Sequence, residues 1–127
     1  MKIVDASVMV EVLLSSEKGL RVLPLLEDEL FAPHLLIAEV HHVLRRIAIR
    51  REITFAEADE AARMLERSQI SFVSVAKLQT ELWSLVDQIS AYDAHYVALA
   101  RYLDAPLMTI DERLTSRKDL GISYVEI

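Results

Sequence analysis

Lys2-Ile3-Val4-Asp5, followed by the apolar-rich stretch from Val8 to Leu14, decides the fold. The short apolar run reads as a buried strand and the stretch after it suits a helix, so Asp5 falls where strand passes into helix. The same pattern returns near the other end, where Pro106-Leu107-Met108-Thr109-Ile110-Asp111 predicts a strand that also closes on a carboxylate. Between them, Leu30-Phe31-Ala32, closed by Pro33, predicts a second strand, and the alternating Ile70-Ser71-Phe72-Val73-Ser74-Val75 predicts a third. Ser123-Tyr124-Val125-Glu126-Ile127 is the candidate for a fifth.

Helical patterns fill the intervals. Leu20 to Glu29 has helical spacing with Pro24 confined to the neighbourhood of the first turn. Leu36, Val40, Val43, Leu44 and Ile47 trace one apolar face of a helix running from about Leu35 to about Arg51. Thr54-Phe55-Ala56-Glu57 has the form of a capping box opening a helix to about Arg67, and a further helix is predicted over Leu78 to Val86. Ser90-Ala91-Tyr92-Asp93 has the spacing of a second box, ahead of Ala94 to Leu103. Strands separated by helices imply an α/β domain with a mainly parallel sheet, because parallel neighbours need a long crossover. Such sheets bind ligands outside the carboxyl ends of the strands, where the strand order reverses. Asp5 and Asp111 are predicted to lie at such ends.

The chain has 127 residues, the size of one compact domain over 1–127. A hydrophobic fraction of 53% with only two glycines and three prolines is a composition for packed regular structure rather than disorder. No apolar run is long enough to cross a bilayer, and charge at Asp5 and Glu11 interrupts any secretory signal, so a soluble cytoplasmic protein is expected. With no cysteine, a metal would have to be held by carboxylates or by the four histidines. A net charge of −6 argues against a broad electrostatic grip on nucleic acid. Yet two local basic clusters stand out, Arg45, Arg46, Arg50 and Arg51 in one and Arg113, Arg117 and Lys118 in the other. They read either as solvated helix faces or as RNA contacts flanking an acidic centre.

Four carboxylates carry the chemistry. Taken singly, Asp5 and Asp111 are also good helix N-caps, and Asp93 is the third-position acid of the Ser90 box. Glu39 is harder to explain structurally, since it borders the apolar stripe of its helix, and Asp93 leans toward Val97 and Ala100 in the same way. A carboxylate turned toward a core is costly unless something positive or donating meets it, and neither has an Arg or Lys nearby in sequence. The economical solution is that the four acids face one another across the end of the sheet around Mg²⁺ or Mn²⁺, ions that prefer oxygen ligands. Such a centre hydrolyses a phosphodiester without a side-chain nucleophile.

With these residues in place the chain resembles the PIN-domain nucleases, in particular the VapC-like toxins of toxin–antitoxin pairs. The resemblance is carried by Ile3-Val4-Asp5-Ala6-Ser7-Val8, by Pro33 through Glu39, by Tyr92-Asp93-Ala94-His95-Tyr96-Val97-Ala98-Leu99-Ala100, and by Leu107-Met108-Thr109-Ile110-Asp111-Glu112-Arg113-Leu114. It implies a five-stranded parallel sheet between helices, Mg²⁺- or Mn²⁺-dependent cleavage of RNA, and inhibition by a cognate antitoxin. By position, Asp5, Glu39, Asp93 and Asp111 are the acidic catalytic cluster, with Asp5, Asp93 and Asp111 as metal ligands. Ser7 and Thr109 match small hydroxyl residues able to steady a carboxylate or a bound water, though both are also ordinary structural choices. Toxins and RNA-processing nucleases share such a site, and the short chain favours the toxin type.

Other residues read as structural. His41, His42 and His95 are expected at the surface, and Tyr92, Tyr96 and Trp83 in core or interface packing rather than stacked on bases. A mean hydropathy of +0.26 in so short a chain predicts apolar surface beyond one core, hence a homodimer. Two other classes compete. A receiver- or dehalogenase-type phosphoryl-transfer domain would want a lysine at a later strand end, which this sequence does not supply; a non-catalytic interaction module would use its acids only as caps.

Overall fold

In the computed structural model, which describes residues 1–127, the strands are β1 (Lys2–Val4), β2 (Leu30–Pro33), β3 (Ile70–Val73) and β4 (Leu107–Met108). All pair in parallel in the order β3-β2-β1-β4, with Ile3 opposite both Phe31 and Leu107. The helices are α1 (Ala6–Leu13), α2 (Glu17–Val22), α3 (Leu35–Ile49), α4 (Phe55–Arg67), α5 (Gln79–Ser84), α6 (Ala91–Leu103) and α7 (Glu112–Thr115). Helix α6 packs against β1, β2, β4 and α5, while α1 packs against α2, α3 and α4. Ile3, Val4, Leu36, Val40, Val97, Leu99, Leu107 and Met108 form the fully buried centre between these groups. No helix is long and apolar enough to cross a membrane.

From β1 the chain moves one way to β2 and β3, and β4 is then added on the other side of β1. The order therefore reverses between β1 and β4, and the crevice at their carboxyl ends is where this class of sheet binds ligands. Asp5 follows β1 directly and Asp111 comes three residues after β4. The two carboxylates expected at strand ends flank this one crevice.

The edges differ from the sequence reading in several places: the third strand, expected over 70–75, ends at Val73, and the helix expected over Leu78 to Val86 is a 3₁₀ turn at Ala76–Leu78 followed by a helix that stops at Ser84. The strand expected over 106–111 stops at Met108, because its next amides turn to side chains: Ile110 N–H donates to Ser7 Oγ at 2.9 Å and Asp111 N–H to Thr109 Oγ1 at 3.1 Å. The fifth strand at 123–127 contracts to a single parallel bridge between Leu107 and Tyr124, since a two-residue β4 offers no longer ladder. Finally, Leu20 to Glu29 is not one helix. Helix α2 begins earlier, capped by Ser16, and passes at Leu23–Leu26 into a 3₁₀ turn with Pro24 in its first positions, where a missing N–H costs least.

Gly19 sets how closely α2 can lie on α1. A Cβ there would come within 2.1 Å of the Glu11 carbonyl oxygen, a backbone atom that cannot swing away.

Candidate active site

Asp5 is only 8% exposed, and one of its carboxylate oxygens is held by two hydrogen bonds. Oδ1 accepts from Ser7 Oγ at 2.6 Å and from the Val8 amide at 3.2 Å, the second contact being the N-cap of α1. Ser7 Oγ also lies 3.3 Å from Thr109 Oγ1. Burial pushes the Asp5 carboxyl above the usual aspartate range; the Ser7, Thr109 and Val8 hydrogen bonds pull it back, and the Glu39 charge adds to the rise. No cation is paired with it in the protein.

Glu39 reaches the site from the second turn of α3, half-buried, and its partner comes from the far side of the sequence. The Tyr96 hydroxyl donates to Glu39 Oε1 at 2.5 Å. Tyr96 is 2% exposed, and burial, with the Glu39 hydrogen bond and charge behind it, raises its hydroxyl far above the ordinary tyrosine value. The charges of Asp5 and Asp93 push in the same direction.

Asp93 sits in the first turn of α6. The amide of Asp93 donates to Ser90 Oγ at 3.1 Å, but the carboxylate does not return the bond to the Ser90 amide. Thr54 and Glu57 show what a complete box looks like, with Glu57 N–H donating to Thr54 Oγ1 at 3.0 Å and Thr54 N–H to Glu57 Oε1 at 3.1 Å. Asp93 is therefore not consumed as a cap. Burial raises its carboxyl, the Ser90 hydroxyl lowers it, and the Asp111 charge raises it again.

Asp111 differs from the other three. It caps α7 through the Arg113 amide at 3.0 Å, and the Arg113 guanidinium holds it with Nε to Oδ1 at 3.2 Å and Nη2 to Oδ2 at 3.0 Å. Hydrogen bonding to that guanidinium keeps Asp111 below the usual aspartate range. The Arg113 side chain is 89% exposed, so nothing but this pair holds it there.

The PIN domain family profile matches residues 2–120. The chain belongs to the PIN family. Among curated relatives, this PIN protein is 38% identical over 121 residues to Ribonuclease VapC1 of Mycobacterium tuberculosis, covering 93% of this chain and 91% of that one. It is 34% identical over 115 residues to Ribonuclease VapC9 of the same organism, at 91% and 89% coverage. These relatives place it among the VapC ribonucleases. Two solved structures share the fold. VapC20 of Mycobacterium tuberculosis, described as a Sarcin-Ricin loop cleaving toxin, superposes with a TM-score of 0.73 at 16% identity over 100% of both chains. PAE2754 from Pyrobaculum aerophilum gives 0.73 at 22% identity, over 96% of this chain and 82% of its own.

As a PIN-type site the donor set suits a hard cation: it offers only oxygen, and the strongly buried member, Asp5, has no counter-charge of its own. No three of these side chains are arranged as a ready-made cation site, and Asp111 is turned onto Arg113. Ser7 and Thr109, which the sequence left between structural and supporting roles, form the hydroxyl link joining Asp5 to the turn that presents Asp111. Tyr96 packs in the core as expected and also donates to Glu39, a bond whose signal in the sequence is a border carboxylate lacking a donor and a tyrosine three residues past Asp93 on the same helical face. Tyr92 and Trp83 are exposed, at 63% and 73%, so of the two expected roles, core or interface packing, the core is excluded for both. His41 and His42 are exposed, as expected, whereas His95, also expected at the surface, is half-buried; His41 and His95 each meet the carbonyl four residues back.

The basic clusters part company. Arg45, Arg46 and Arg50 are exposed on or just after α3, and none is held in an ion pair. Arg46 and Arg50 follow Glu39 by seven and eleven residues and share its helical face, whereas Arg45 lies about 120° around. In the second cluster, Arg113 is on Asp111, Arg117 makes a two-point bond to Asp119, and Lys118 sits 5.3 Å from the centre of the Tyr124 ring.

Proposed function

We propose that this chain is a Mg²⁺- or Mn²⁺-dependent endoribonuclease, the toxin of a toxin–antitoxin pair, acting on RNA in the cytoplasm and held in check by a cognate antitoxin. The observation that carries this reading is Asp5: a buried carboxylate without a counter-charge, at the point where strand order reverses, with Glu39 raising its proton affinity further. A fold retains such a group against its solvation cost when a ligand neutralises it.

Asp5, Asp93 and Asp111 would hold the ion. When bound, it supplies Lewis acidity, activating water for attack and neutralising charge that builds on the phosphodiester. The chain's own residues do the positioning. Ser7 and Thr109 fix Asp5, and Arg113 neutralises Asp111 until a cation takes that place. Tyr96 fixes Glu39 through Oε1 and leaves Oε2 as an acceptor for a proton from the attacking water. Phosphates away from the centre would be met chiefly by Arg46 and Arg50, because Arg117 and Lys118 already have partners, and by Arg113 once a cation releases it from Asp111. The exposed apolar side chains Trp83 and Val86 at the end of α5 supply the surface for the expected homodimer, which sedimentation at micromolar concentration checks.

The test is incubation of the purified protein with mixed RNA substrates in Mg²⁺, Mn²⁺ or EDTA. Cleavage with either ion, none in EDTA, and loss in Glu39→Gln are expected. Cleavage that survives EDTA would overturn the reading.

A further inference from the structure

Beside Glu39 lies a surface groove of about 520 Å³ whose walls include Tyr92, His42, Arg46, Leu35 and Val43 together with Glu39 itself. Tyr92 stands in the first turn of α6 directly before Asp93, with its ring largely in water. Arg46 has no carboxylate partner and lies two turns beyond Glu39 on the same face of α3, about 10 Å along its axis. An exposed aromatic ring, an unpaired guanidinium and an apolar wall in one groove form the recognition set for single-stranded nucleic acid: a π-face for a base and a cation for a phosphate. The groove also shares Glu39 with the carboxylate centre, so whatever fills it is adjacent to the reacting bond.

We infer that this groove is a nucleotide subsite in which Tyr92 stacks one unpaired base, Arg46 takes a neighbouring phosphate, and Glu39 faces the phosphodiester to be cut. The inference rests on the ribonuclease reading and narrows it. The substrate must be single-stranded at the cleavage step, because a base paired in a duplex has its faces covered by its neighbours. Choice among bases at this position is weak, since every base has a π-face.

The experiment measures binding of a labelled single-stranded RNA dodecamer to the full chain in an Asp5→Asn background, which leaves the RNA uncut and lies outside the groove. Tyr92→Ala should weaken affinity by about 10-fold or more, Tyr92→Trp should retain it, and Tyr92→Leu should resemble Ala. Moving one abasic nucleotide along the RNA should reveal a position with the same loss, and that loss should not add to the loss from Tyr92→Ala. Arg46→Gln should lower the salt slope of binding by about one. With Asp5 restored, the Tyr92→Ala loss should fall on KM rather than kcat.

The proposal is overturned if Tyr92→Ala binds RNA like its parent, if Leu serves as well as Trp, or if the abasic and Tyr92 losses add. It is equally overturned if Tyr92→Ala leaves RNA affinity intact and weakens only inhibition by the antitoxin, which would make the groove a protein site. A wild-type chain that cleaves RNA with no dependence on Tyr92 overturns this inference alone. A chain that binds RNA through Tyr92 but never cleaves it overturns the ribonuclease reading and leaves the subsite standing.

Discussion

At the scale of single residues, the site is assembled against stability. Asp5 pays burial twice, once in lost solvation and once in repulsion from Glu39, and the hydroxyls of Ser7 and Thr109 return only part of it. Its proton affinity is raised on folding, so the native state binds more protons than the unfolded chain, and stability falls as pH rises through the raised value. Asparagine caps a helix as well as aspartate does and carries no charge. Asp5→Asn should therefore melt higher than wild type at neutral pH, and the gain should fade as pH drops into the ordinary aspartate range, where both proteins are uncharged at this position. A variant that melts lower at pH 7, followed by circular dichroism, would show that the Asp5 charge is structural. Tyr96→Phe keeps the buried ring and removes only the donor to Glu39. Loss of such a supporting contact typically costs about 10- to 100-fold in activity or metal affinity. The fall should appear in kcat with RNA KM little changed, and an unaltered kcat would reduce Tyr96 to packing.

At the scale of elements, the two candidate capping boxes separate structure from function. Both Thr54–Glu57 and Ser90–Asp93 have the right spacing, yet only the first closes in both directions. Ser90→Ala should cost about 1 kcal/mol through the lost cap, whereas Asp93→Asn should cost less, while abolishing cleavage; denaturant titration of the two variants decides between them. An Asp93→Asn protein as unstable as Ser90→Ala would return Asp93 to a capping role. The same elements show how far the sequence could be read. Strand-to-helix order, the parallel sheet and the strand-end places of Asp5 and Asp111 follow from periodicity, which survives in any window of one element. The early stop of β4 and the bridge at Tyr124 do not, because they depend on Ser7 reaching Ile110 across more than a hundred residues of chain. Glu39 was legible as a carboxylate in want of a donor, but Tyr96 was not legible as that donor, since the pair forms only when α3 and α6 meet at one end of the sheet. Which arginines are free was hidden for the same reason: Arg113 and Arg117 look identical to Arg46 in sequence and differ only in their folded partners.

For the whole molecule, the central claim is that the crevice between β1 and β4 is a metal centre kept at the expense of stability. An ion that binds only the folded state raises its stability by mass action. The direct measurement is the melting temperature of wild type and of Asp5→Asn as Mn²⁺ is titrated at neutral pH with ionic strength held constant. The two curves should cross: wild type starts lower in EDTA and climbs with Mn²⁺, while Asp5→Asn starts higher and climbs far less. A wild-type curve flat in Mn²⁺, or a variant that climbs in parallel with it, would contradict the claim that the acids at the end of this sheet are a metal centre.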